Sequence, residues 1–116
     1  MQLNQGQIEE FNERGYLFIP NCFTSDEAKL LKREANLVYA LDRKEVWREK
    51  SGVARTAFAA HQYNEGFRRL GGHPKLINPV MQLLNGPTYI HQYKVNVKAA
   101  FDGEVWQWHQ DYGTWQ

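Results

Sequence analysis

The spacing of apolar residues changes along this 116-residue chain, and each change predicts a different element. Over residues 4–14, Ile8 and Phe11 stand three apart among polar residues and Gly15 follows, which predicts a short amphipathic helix with a glycine stop. The compact run Tyr16-Leu17-Phe18-Ile19, closed by Pro20, predicts a short strand. Thr24 and Glu27 have capping-box spacing. Ala28, Leu30, Leu31, Ala35, Val38 and Leu41 follow at helical spacing, so the longest helix is expected to run to about Glu49. Residues 53–58 suit a strand. Asn64 caps a short helix that ends at Gly71-Gly72, and Pro74 sits at a first-turn position. Leu76, Ile77, Val80, Met81, Leu83 and Leu84 continue that last helix until Asn85-Gly86-Pro87 stops it.

Beyond this point the period falls to two. Residues 88–100 read as one long strand with Tyr89, His91, Tyr93, Val95 and Val97 on one face. Ile90, Gln92, Lys94, Asn96 and Lys98 occupy the other. A turn over 101–104 leads to further extended chain at 105–111. The expected organisation is one domain spanning 1–116, helical over 1–87 and β over 88–116. Helices first and strands last make it α+β.

Composition narrows the partners. A 42% apolar and 14% aromatic content is enough for a core. Fourteen Lys+Arg against 13 Asp+Glu leave a net charge of +1, without the basic excess that nucleic acid demands. The cluster of Arg43, Lys44, Arg48 and Lys50 is interleaved with Asp42, Glu45 and Glu49, as on a solvated face. No apolar run reaches the roughly 20 residues of a bilayer span, so no membrane partner is expected. The opening Met-Gln-Leu-Asn-Gln lacks a leader's basic start and apolar stretch. A single cysteine, Cys22, adds an expectation of a reducing, cytoplasmic setting.

The sharpest chemical signal is in the tail, Trp106-Gln107-Trp108-His109-Gln110-Asp111-Tyr112. On a strand, His109 and Asp111 point the same way and supply two vertices of a 2-His-1-carboxylate facial triad for non-haem Fe(II). By itself, a His-x-Asp pair is more often a surface ion pair than a metal site. Gln92, Asn96 and Lys98 share one strand face, which by itself suits plain exposure to solvent.

Three stretches carry a family resemblance. They are residues 8–27 with Gly15-Tyr16 and Thr24-Ser25-Asp26-Glu27, residues 73–87 from His73-Pro74 to Gly86-Pro87, and residues 90–98 followed by 106–115. Together they resemble the phytanoyl-CoA dioxygenase family of Fe(II)- and 2-oxoglutarate-dependent oxygenases, in its ectoine-hydroxylase-like branch. The resemblance implies helices followed by the first strands of a double-stranded β-helix, a jelly-roll or cupin-like barrel incomplete in this chain. It implies His109 and Asp111 as iron ligands, and Gln92, Asn96 and Lys98 as contacts to 2-oxoglutarate or substrate. Trp108, Tyr112 and Trp115 would wall the pocket. The cosubstrates would be 2-oxoglutarate and O2, and the substrate a small metabolite. Because Asp111 is present, the resemblance implies hydroxylation rather than halogenation.

The family's second histidine and its 2-oxoglutarate-binding arginine lie downstream of the His-x-Asp. His61, His73 and His91 all lie upstream and have no family support as ligands. The chain is therefore expected to be an N-terminal portion of an enzyme. The alternative is a non-catalytic remnant that acts as an interaction module. An open barrel edge would allow a homodimer in either case.

Overall fold

The computed structural model describes residues 2–101, 103 and 105–114. Helix α1 (Gln5–Arg14) begins at Asn4, whose side chain accepts from the Gln7 backbone N–H while the Gln7 side chain accepts from the Asn4 N–H. It ends where Gly15 turns left-handed at φ 82°. The segment before α1 is tied down by a side chain. Leu3 is buried, its N–H donates to Gln82 Oε1 at 2.7 Å, and Gln82 Nε2 returns a bond to the Leu3 carbonyl at 3.1 Å. The Gln82 carboxamide thus bonds this segment as a neighbouring strand would.

Residues 16–19 do alternate, with Tyr16 and Phe18 exposed and Leu17 and Ile19 half-buried, but no strand forms there. Extended chain becomes a strand only beside a partner that takes its N–H and C=O groups.

Helix α2 (Ser25–Tyr39) starts with the expected box, in which Thr24 and Glu27 each accept from the other's backbone N–H. It stops ten residues before the expected end near Glu49. Arg48 explains the stop, because its Nη2 donates to the Tyr39 and Leu41 carbonyls at 2.9 and 3.2 Å. These carbonyls lie at the helix end, where a cation is favoured. The chain reverses there into β1 (Val46–Arg48), then β2 (Ala54–Phe58). Strands therefore begin in the middle of the chain, and the expected division into helical 1–87 and β 88–116 does not hold.

A 3₁₀ turn at Ala60–Gln62 leads to α3 (Glu65–Gly71), capped by Asn64, and to α4 (Pro74–Leu84). Helix α4 ends in a left-handed Asn85. The apolar stripe of α4 is only partly buried: Pro79 is inside, while Leu76, Val80 and Leu84 are exposed.

The expected thirteen-residue strand contracts to β3 (Lys94–Asn96). It pairs with the short β2, so only a few rungs have a partner. The result is a three-stranded antiparallel sheet in the order β1-β2-β3. Val46, Ala57 and Val95 align on one face, and Trp47, Thr56 and Asn96 on the other. The first row faces the helices and, with Val38, Ala60 and Phe67, makes the core. Tyr93 closes it by donating from its hydroxyl to the Phe67 carbonyl at 2.8 Å, and burial raises the pKa of that hydroxyl. No described helix is long and apolar enough to cross a membrane.

Helices α2 and α4 are joined through Glu27. Its carboxylate accepts from Lys75 Nζ at 2.7 Å while also capping α2. These bonds, that to Lys75 foremost, lower its pKa from the ordinary 4.5 to about 2. A pKa depressed in the folded state adds stability that is complete above 4.5 and is lost as pH falls toward 2. Acid unfolding of the wild type should therefore steepen in that window. Glu27→Gln should flatten this part of the stability–pH curve. Superimposable curves for the two proteins would refute the assignment.

Candidate metal centre

The segment after β3 carries the two expected ligands. It lies against the sheet through Arg55 of β2. The Arg55 guanidinium stands beside the buried Glu49, with Nε 3.8 Å from Oε1, and its Cζ lies 5.8 Å from the Trp106 ring centroid. A cation over an indole at this range is attractive. Trp106 is accordingly less exposed, at 41%, than Trp108 two residues on, which is fully exposed.

His109 and Asp111 do not share a strand. His109 lies in irregular chain, and Asp111 opens the four-residue helix α5 (Asp111–Thr114). Their side chains nevertheless meet, with His109 Nε2 3.2 Å from Asp111 Oδ1. The other ring nitrogen, Nδ1, is 2.8 Å from the Gln107 carbonyl. A carbonyl only accepts, so Nδ1 must carry a proton. In the neutral ring, Nε2 is then a bare lone pair facing a carboxylate oxygen. Two acceptors at this distance repel unless a proton or a cation sits between them. Ligands about 2.1 Å from one metal and at right angles to each other lie about 3 Å apart. The spacing of the pair is thus that of two ligands on one divalent metal, and the Gln107 carbonyl orients the imidazole.

Among the described residues no third His, Cys, Asp or Glu completes a metal-binding cluster. His61 stacks on Tyr93 at 4.5 Å, and His73 caps α4 by accepting from the Lys75 N–H, so both have structural roles elsewhere.

The other expected site residues are dispersed. Asn96 lies on the outward face of β3 and accepts a bond from Thr56 Oγ1 at 3.0 Å. Gln92 precedes β3 and lines a shallow hollow with Phe58, His61 and Tyr93. Lys98 follows β3 and is exposed. The regular strand joining these three is therefore confined to Asn96. No direct hydrogen bond joins Gln92 or Asn96 to His109 or Asp111 among the described residues. Tyr112 and Trp108 are 83% and 102% exposed, so neither walls a pocket in this structure. Trp115 lies outside the described residues. Sequence reasoning passed over Thr56 and Arg55. Hydroxyls and cations are common in strands, and only the register shows what these two touch.

Residues 11–116 match the phytanoyl-CoA dioxygenase (PhyH) family. The chain belongs to that family. It is 34% identical over 113 residues to the ectoine dioxygenase of Stutzerimonas stutzeri, covering 93% of this chain and 37% of that protein. The L-proline trans-4-hydroxylase of Streptomyces griseoviridis is 33% identical over 106 residues, covering 90% and 40%. Among solved structures, EctD from S. alaskensis with 2-oxoglutarate and 5-hydroxyectoine superposes with a TM-score of 0.89 at 29% identity, covering 97% of this chain and 42% of that one. EctD with bound Fe gives 0.86 at 32% identity and the same coverage. The helices and open three-stranded sheet thus correspond to part of the EctD fold, and the chain spans about two-fifths of the length of these relatives.

Mn(II), followed by paramagnetic broadening of the His109 ring signals, should bind the wild-type chain, and Asp111→Ala should weaken it at least about tenfold. Broadening that is independent of Asp111 would dismiss the pair as a metal site.

Proposed function

We propose that this chain carries the iron-ligating part of an Fe(II)/2-oxoglutarate-dependent dioxygenase that hydroxylates a small polar metabolite or amino-acid derivative. The observation that carries the reading is the His109 Nε2–Asp111 Oδ1 approach at 3.2 Å, with Nδ1 held by Gln107. Family membership supports it, as do the Fe and 2-oxoglutarate in the EctD structures. Relatives named for ectoine and L-proline support the substrate class.

The residues divide the work. His109 and Asp111 hold the metal, one through a neutral nitrogen and one through an anionic oxygen. This leaves part of the metal's charge uncompensated for an anionic cosubstrate. Bound iron supplies the redox chemistry that couples O2 and 2-oxoglutarate to hydroxylation of a carbon. Asn96 donates to a cosubstrate carboxylate from the outward face of the sheet. Gln92 and Lys98 extend the donor set on either side of β3. Trp108, Tyr112 and Trp115 would wall the pocket and exclude water. A third protein ligand comes from outside the described residues. The Gln107 carbonyl keeps the His109 ring from turning, so metal uptake requires no change of tautomer.

Anaerobic addition of Fe(II) and 2-oxoglutarate to the chain should produce the weak visible charge-transfer band of the chelate. His109→Ala should abolish it. A band that survives in the variant would overturn the reading.

A further inference from the structure

Thr56 and Asn96 stand opposite each other where β2 and β3 pair. Strand alternation places them away from the helices, because their neighbours Ala57 and Val95 belong to the row that faces the core. The two differ in burial: Thr56 is only 7% exposed, while Asn96 is open to solvent. Between them runs one side-chain bond, from Thr56 Oγ1 to Asn96 Oδ1, at 3.0 Å.

A carboxamide is a rigid plane with an acceptor at one end and two donors at the other. Fixing its oxygen on a neighbour therefore fixes the direction of its N–H groups. A hydroxyl can also accept, but opposite a flipped amide the buried Thr56 proton would face Nδ2 and find no other acceptor among the described residues, so this hydroxyl selects the oxygen, and its branched Cβ restricts χ1. Among the described residues the Asn96 side chain makes no other hydrogen bond. Its Nδ2 hydrogens are thus turned away from Thr56 with no protein acceptor. Without the hydroxyl the amide is free to flip, and half its orientations would present an oxygen lone pair instead. That orientation repels a carboxylate.

We propose that Thr56 is a positioning residue that locks the Asn96 carboxamide with its N–H groups outward, ready to donate to a carboxylate oxygen of the cosubstrate. This rests on the reading of Asn96 given under the proposed function, and goes beyond it by naming the group that decides which end of the amide the ligand meets. Thr56 touches Asn96 and not the ligand.

The test uses the whole chain, labelled with 15N, and 2-oxoglutarate as the probe. In the free protein the two Asn96 Nδ2 protons should have shifts distinct from those of a free carboxamide. Thr56→Val, which keeps the shape and removes the donor, should collapse them toward the values of a free carboxamide. The Val95 and Val97 backbone amides should stay in place, and Thr56→Ser should restore the wild-type pattern. Thr56→Ala serves the same purpose if the valine variant does not fold. Asn96 signals that are unchanged in Thr56→Val or Thr56→Ala, or are not restored by Thr56→Ser, overturn the positioning role. Adding 2-oxoglutarate should shift the Asn96 Nδ2 signals in the wild type and in Thr56→Ser. Binding should be about tenfold weaker in Thr56→Val, the scale of one hydrogen bond to a charged group. A wild type whose Asn96 signals ignore 2-oxoglutarate removes the cosubstrate from the proposal and defeats the reading of Asn96. The free-state spectra judge Thr56 separately.

Discussion

The antiparallel register that aligns Val46, Ala57 and Val95 is the constraint on which the rest of the molecule depends. These three close the core against Val38 of α2 and Phe67 of α3, and Val38 and Ala57 are completely buried. Side chains alternate along a strand, so burying this row leaves no choice for the next one. Trp47, Thr56 and Asn96 must face outward, and a slip of one residue would exchange the two sets. The Thr56–Asn96 bond and the outward carboxamide are consequences of hydrophobic burial on the opposite side of the sheet. Next to Thr56 on β2, the Arg55 guanidinium lies 5.8 Å from the Trp106 ring, in the segment that carries His109 and Asp111.

Local signals were legible where the chemistry is local. Thr24 and Asn64 each mark a helix start, because a cap satisfies backbone N–H groups two or three residues away and needs nothing distant, and Pro74 marks another because its fixed φ suits a first turn. Gly15 and Asn85 mark stops for the same reason. Extents were less legible. Residues 40–49 continue the helical periodicity, yet Arg48 returns to cap the carbonyls of Tyr39 and Leu41, a contact that no periodicity contains. Residues 88–100 alternate throughout, but strand structure is confined to the stretch that β2 can pair. Alternation records which side is apolar, and hydrogen bonding to a neighbour determines which part is strand.

The site was legible in the same uneven way. His109 and Asp111 were found from their spacing and their neighbours, and the structure brings their side chains together although only one precedes a helix and neither lies on a strand. The Gln107 carbonyl that sets the ring's proton lies two residues from His109 but leaves no trace in residue type. Thr56 lies forty residues from Asn96, and only the sheet register joins them. The rings of Trp108 and Tyr112 are exposed in this structure, although their residue types suggested a pocket wall.

Backbone amide hydrogen exchange tests the register most directly. The Val97 N–H donates to the Arg55 carbonyl at 2.8 Å, and the Ala59 N–H donates to the Tyr93 carbonyl at 2.7 Å, so the two bonds bracket the β2–β3 pairing. Both amides should be strongly protected and should lose protection together when the core is weakened by Val38→Ala. Protection of Ala59 with free exchange at Val97, or protection displaced by one residue along β3, would contradict the account.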